Sequence, residues 1–201
     1  MDLDIAKLHG NYVYLECLSP AHREAIRPLA KNEVIWEFNK MLPVDENYDT
    51  AYDAYFDGAL DKTGLGGQQT FVIRKVQGDS IIGMTRLYEI NPKEKTILIG
   101  YTWYIPSVWG KVYNKECKLL LLEYIFKDLK FSRAELRVAH QNVRSQKAVE
   151  KIGAIKEGVL RKHGYRNDGS IRHTVIYSII DDEWSQTKEK LLSLIAESKI
   201  D

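Results

Sequence analysis

The chain has 201 residues, 44% of them apolar, and a formal net charge of +1. That is enough material for one sizeable core, and no linker rich in Gly, Ser or Pro divides it, so one domain over residues 1–201 is expected. With no basic block a nucleic-acid binder is not expected. With no run of about 18 apolar residues and no cleavable leader, neither a membrane span nor secretion is expected either, and the protein is placed in the cytoplasm. The cysteines, Cys17 and Cys117, offer neither a disulfide framework nor zinc-ligand spacing, which suits a reducing compartment and no metal.

Residues 11–18 read as a strand. Ser19-Pro20 then opens a helix that Pro28 should kink or shorten, because proline has no N–H to give the carbonyl one turn earlier. From Glu37 to Lys62 the chain carries seven acidic residues against two lysines. Asp49, Asp53, Asp57 and Asp61 recur every four residues, so a helix arrays them as one stripe with Tyr48, Tyr52 and Tyr55 beside it. Like charges at that spacing cost a helix about 0.2–0.5 kcal/mol per pair, so some compensation is expected. An acidic, aromatic wall would suit a cationic amine or a basic peptide N-terminus through Coulomb and cation–π attraction. The alternative is a solvated acidic face with the tyrosines packed against a sheet. The loop Thr63 to Gly67 is either a rim or a plain connection, and it lacks the Gly-Lys-Ser/Thr of a phosphate loop.

Phe71–Val76 and Ser80–Tyr88 alternate around the turn Gln77-Gly78-Asp79 as a hairpin, and Thr96–Tyr104 continues the meander. Pro106 stops that strand. The run Trp109-Gly110-Lys111-Val112-Tyr113-Asn114-Lys115 then feeds a leucine-packed helix reaching Phe126. The unpaired N–H groups of its first turn face outward with about half a positive charge, so a phosphate or pyrophosphate is the natural guest, and Lys111 and Lys115 add cationic charge.

Ala134–His140 reads as a strand leading to a helix capped by Asn142, with Ala148, Val149 and Ile152 on its apolar face and Gly153 as its stop. Residues 155–165 and 170–180 pair as a hairpin across Arg166-Asn167-Asp168-Gly169. The last segment, 181–198, is an amphipathic helix with Trp184, Leu191, Leu192 and Ile195 on one face, packed on its own domain or forming a homodimer contact.

The Trp-Gly-Lys-x-Tyr turn, the Asn142-x-x-Ser145 helix running on to Gly153, and the tail from Glu157-Gly158 through Asn167-Asp168-Gly169 to Trp184 carry a resemblance. Over about residues 11–184 the chain resembles the GNAT superfamily of N-acetyltransferases, and within it the branch named for ribosomal-protein N-terminal acetyltransferases. The resemblance implies an α+β fold, a mainly antiparallel mixed sheet flanked by helices. It also implies acetyl-CoA, carried by the strand end Trp103, Tyr104 and Ile105, by the turn Trp109, Gly110, Lys111, Val112, Tyr113, Asn114 and Lys115, and by Asn142 and Ser145 along the pantetheine arm. The acceptor it implies is a small amine or a protein N-terminus, and its site would include Glu37, Tyr48, Asp49, Tyr52 and Asp53.

The chain departs from the family pattern at the turn, where Trp109, Val112 and Asn114 fill its marked positions. It departs again at Leu98, where relatives often carry glutamate, and at Val149, where many carry a tyrosine acid. Acetyl transfer to an amine requires that the acceptor lose a proton, that developing oxyanion charge meet donors, and that the leaving thiolate gain a proton. Ser145 is the candidate donor, and the alternative is that it only supports the first helical turn. His140, whose side-chain type titrates near neutrality, is the candidate base, with a water chain to an acidic group equally open. A catalytically silent CoA-binding or interaction module of the same fold remains the competing reading.

Overall fold

The structure, a computed structural model, describes residues 7–38, 41–63, 67–166 and 168–198. Strands β1 (Lys7–His9) and β2 (Val13–Cys17) form a hairpin, followed by helices α1 (Arg23–Ala30), α2 (Glu33–Trp36) and α3 (Tyr48–Leu60). The meander β3 (Gln68–Lys75), β4 (Ile81–Asn91) and β5 (Thr96–Tyr104) comes next. Then follow α4 (Tyr113–Glu123), β6 (Arg133–Ala139), α5 (Val143–Lys151), the hairpin β7 (Ile155–Tyr165) and β8 (Ile171–Ile180), and α6 (Trp184–Ala196). The described strands share one eight-stranded sheet in the order β1-β2-β3-β4-β5-β6-β8-β7. Every neighbour pair in it is antiparallel except β5 with β6, because α4 carries the chain back before β6 begins. This is the expected α+β mixed sheet flanked by helices.

The sheet has an apolar core on each face. On one, Ile73, Leu87, Ile97 and Ile99 meet Cys117, Leu121 and Leu122 of α4, Val149 of α5 and Leu191 of α6. On the other, Val72, Met84 and Trp103 lie under Ile26, Trp36, Tyr52 and Phe56 of the first three helices. Successive residues such as Val72 and Ile73 therefore bury on opposite faces, which is why β3 reads as a nearly unbroken apolar run.

Pro28 shortens rather than kinks: α1 ends just past it, and the hydroxyls of Tyr48 and Tyr52 donate to the carbonyls of Arg27 and Arg23. The leucine helix changes pitch before Phe126. A π turn over Tyr124–Asp128 is closed by Leu129 N–H on Tyr124 O at 3.0 Å, and its wider pitch lets the consecutive Tyr124, Ile125 and Phe126 all bury. In α6, Trp184 packs on Phe126 and Leu191 is fully buried, so this helix closes over its own domain. Leu192 is 48% exposed, contrary to its expected place on that face, because the stripe runs Trp184, Thr187, Leu191 and one further residue turns the side chain away. No helix among the described residues is long and apolar enough to cross a membrane. Gly64 to Gly66 of the glycine loop and Asn167 of the last hairpin turn lie outside the described residues.

Candidate functional site

Strands β5 and β6 pair only at Thr96 with Arg133, Ile97 with Ala134 and Leu98 with Glu135, yet they continue to Tyr104 and Ala139. Beyond Leu98 they part. The cause lies in β5, whose register on β4 shifts between the pairs Arg86–Gly100 and Met84–Trp103. The strand takes up an extra residue there, and Tyr101 sits at φ 50°, in the left-handed region. A bulge bends a strand away from its neighbour. Since β4 and β8 occupy the outer edges of β5 and β6, the two inner edges face one another as unpaired backbone, a slot lined with peptide groups.

One end of the slot is closed by the turn into α4. A 3-10 segment at Pro106–Val108 leads to Trp109, whose indole N–H donates to Tyr104 O at 2.9 Å and ties the turn to the strand end. Gly110 has φ +77°, and open space lies where a side chain would begin. The N-terminus of α4 has no side-chain cap, and the Lys115 and Glu116 N–H groups turn back on Val112 O at 3.0 and 3.2 Å. Val112 is fully buried and anchors this turn into the core, so an apolar residue serves where the family often has glycine. The Tyr113 ring is buried with Lys75 Nζ 5.3 Å from its centroid. Asn114 is half-buried in the same turn.

One expectation about this region needs correction. Lys115 is not a cation facing outward: its Nζ donates to Lys111 O at 3.2 Å and Ser198 Oγ at 2.7 Å, and burial, then the charge of Lys151, lowers its pKa. The side chains of Trp103 and Tyr104 are buried on opposite faces, Trp103 donating to Tyr55 Oη at 3.0 Å, so these two residues offer only backbone to the slot. The Ile105 N–H is taken by Ile82 O at 2.9 Å.

Sequence reasoning missed Arg144. Its guanidinium carbon lies 3.9 Å from the Trp109 ring centroid and joins the α4 turn to the start of α5. The signal was present, since a cation in a helix's first turn opposes the macrodipole and calls for another reason to be there. In the same turn the Asn142 amide oxygen accepts Ser145 N–H at 2.9 Å, as expected of an N-cap. Ser145 Oγ makes no hydrogen bond to a described residue, and His140 is exposed at the end of β6 with its ring edge-on to His173 at 6.4 Å. Leu98 and Val149, where relatives often carry glutamate and tyrosine, are both buried as core packing.

On the face expected to take the acceptor, the acidic stripe is not an open wall. Arg23 and Arg27 of α1 lie along it: Asp53 is bound by both at 2.8 Å, Asp57 pairs with Arg23, and Asp49 is 3.3 Å from Arg27. Asp61 caps the end of α3 and accepts from Thr63 N–H at 2.8 Å. Tyr48 and Tyr52 are 1% and 0% exposed, their hydroxyls on the α1 carbonyls. Desolvation first raises both their pKa values, that of Tyr48 to about 12. Asp49, Asp53, Tyr48 and Tyr52 thus hold α3 to α1, and the compensation expected for the like-charge stripe is this pair of arginines. Glu37 is exposed just past α2, next to Phe38, whose carbonyl accepts from Arg166 Nε at 3.0 Å.

Residues 13–155 match the acetyltransferase (GNAT) domain family, and the chain belongs to that family. It is 31% identical over 110 residues to "Putative ribosomal N-acetyltransferase YdaF" and 32% identical over 114 residues to "Probable N-acetyltransferase YjcK", both of Bacillus subtilis (strain 168). The aligned parts are 54% and 56% of this chain, and they span only 58% and 62% of those two proteins. A crystal structure titled as a "putative acetyltransferase" from T. thermophilus superposes with a TM-score of 0.85 at 31% identity, over 96% of this chain and 98% of that one. Members of this family use acetyl-CoA as co-substrate.

Proposed function

We propose that this protein transfers an acetyl group from acetyl-CoA to a primary amine, on a small molecule or a protein N-terminus, by direct transfer with both bound. The observation that carries the proposal is the slot itself, two strand edges unpaired beyond Leu98 and Glu135 and bordered by the uncapped start of α4 and the start of α5.

The donor set fits a CoA thioester. The positive end of α4, with Gly110 leaving space for close approach, suits the pyrophosphate, and Lys111 and Arg144 supply cations. The facing edges of β5 and β6 offer peptide groups to the pantetheine amides, and Asn142 orders the start of α5 beside them. When bound, acetyl-CoA supplies an activated acetyl thioester. Ser145 Oγ, without a hydrogen-bond partner among the described residues, is the hydroxyl available to give its proton to a leaving sulfur. His140, or water reached through it, takes the proton of the incoming ammonium, and Glu37 at the rim adds a charge that draws a cationic acceptor. Neither Cys17 nor Cys117 is in a disulfide, which suits action in the cytoplasm.

The test is calorimetry with acetyl-CoA and desulfo-CoA beside thiol release with a panel of amines. Ser145→Ala is expected to keep acetyl-CoA affinity and lower kcat about 100-fold. If the parent protein binds no acetyl-CoA, the enzyme reading falls to that of a catalytically silent module.

A further inference from the structure

The floor of the acceptor face holds a buried cation with no counter-ion among the described residues. Arg86 is 6% exposed. It lies on β4 opposite Gly100, at the bulge where β5 leaves β6, and shares its strand face with Met84, under the first three helices. Its Nη1 donates to Gln68 Oε1 at 2.9 Å, and Gln68 is held in turn by the carbonyls of Gly58 and Asp61 at the end of α3. Its guanidinium lies 4.2 Å from the ring centroid of Tyr101, the residue of the bulge. Its Nε has no hydrogen-bond partner among the described residues.

The titratable groups that act on Arg86 are Tyr55, Tyr88 and Tyr101, and among the described residues no carboxylate pairs with it. Arg172 of β8 adds to the imbalance: its charge acts on Tyr88 too, and its Nε is also buried without a described partner. The neighbouring Arg137 is different, being matched by Glu89 and Glu135 at 2.8 and 2.7 Å. Burying a cation without an opposite charge is costly, and a guanidinium remains ionised even where burial lowers its pKa, so an anion from outside is the group that completes the site. The tyrosines around it, with Trp36 and Trp103 behind Tyr55, supply aromatic walls but no negative charge.

We infer that the acceptor amine carries a carboxylate in the same molecule, and that Arg86, beside the bulge that turns β5 away from β6, receives it. This rests on the acetyltransferase reading above and narrows its substrate class. A guanidinium binds a carboxylate through two parallel N–H donors, which fixes the distance from the anchored anion to the amine presented at the slot.

The experiment measures thiol release from acetyl-CoA with matched acceptors differing only at the carboxylate. One arm uses amino acids and their amides, the other short peptides with Glu or Gln beside a free N-terminus. The parent protein should prefer the acid over the carboxamide in one arm by roughly 10- to 100-fold in kcat/KM, expressed in KM. The arm that responds identifies a small acceptor or a peptide. Arg86→Met should remove the preference with acetyl-CoA affinity unchanged, and Arg86→Lys should restore part of it. Equal rates for acid and amide in both arms, or a preference that survives Arg86→Met, would overturn the inference. Should Arg86→Met fail to bind acetyl-CoA, Gln68→Leu, which frees a second guanidinium nitrogen, takes its place and must change the acid KM alone. If no amine is acetylated at all, carboxylates are titrated directly against the fluorescence of Trp36 and Trp103. A response lost in Arg86→Met keeps the anion site though the transferase reading fails, and no response ends both.

Discussion

Glu116 offers the sharpest stability test. This residue of the first turn of α4 is 3% exposed, and its carboxylate accepts three backbone N–H groups from the β1–β2 turn: Asn11 at 2.8 Å, Tyr12 at 2.7 Å and Val13 at 2.7 Å. Gly10 closes over it so tightly that a Cβ would fall 2.6 Å from the carboxyl carbon. Glu116→Gln keeps the shape and removes the charge. In the better of its two orientations the amide oxygen serves Tyr12 and Val13, while the amide NH2 faces the Asn11 N–H, donor against donor. Two charge-assisted bonds become neutral ones, at about 1 kcal/mol each, and a third is lost with its donor stranded, at about 1–3 kcal/mol, for a total of about 3–5 kcal/mol. Denaturant unfolding should show the midpoint falling with the slope unchanged, and the thermal midpoint should drop by roughly 10 °C. Gly10→Ala strikes the same contact, so the double variant should lose less than the sum of the two. A loss below about 1 kcal/mol for Glu116→Gln would refute the reasoning, because it would mean that the three N–H groups find other acceptors at little cost.

Glu157 should make part of the stability acid-sensitive. Arg133 first, then Ser178, hold its pKa at about 2 against an ordinary 4.5, so the ionised form stabilises the folded state above about pH 4.5 and that contribution fades as pH falls toward 2. The carboxylate is 41% exposed and screened by water, so Glu157→Gln should cost about 1 kcal/mol at pH 7 and nearly nothing at pH 2, read from urea midpoints across that range. Gly110→Ala places a side chain at φ +77° and should cost about 1–2 kcal/mol in stability while weakening acetyl-CoA binding in calorimetry; an unchanged affinity would remove this turn from the cofactor site. Replacing Asp49 and Asp53 together with asparagine should lower the thermal midpoint and leave the acceptor KM unchanged, since both side chains face Arg23 and Arg27; a raised KM would return them to the acceptor site.

Much of the frame was legible from sequence because it depends on neighbours in the chain. Apolar runs about the turn Gln77-Gly78-Asp79 marked the hairpin of β3 and β4, with β5 continuing it, and the Asn142 cap and Gly153 stop bracketed α5, whose capping bond spans three residues. The four-residue spacing of aspartates marked α3 and showed that something must offset their repulsion. It could not show what. The answer is α1, bound through contacts 21 to 34 residues away, and those contacts turned an apparent acceptor wall into a helix–helix seam. Likewise Lys115 looked like an outward cation until Ser198, 83 residues later, came to rest against it. The pairing of Glu116 with a turn 103 to 105 residues earlier, and the burial of Arg86 without a carboxylate, left no trace in local pattern. Periodicity and caps report interactions within one or two turns of a chain. Whether a charge is solvated, paired or left buried is decided by which distant segment arrives beside it, and only the tertiary structure makes that choice.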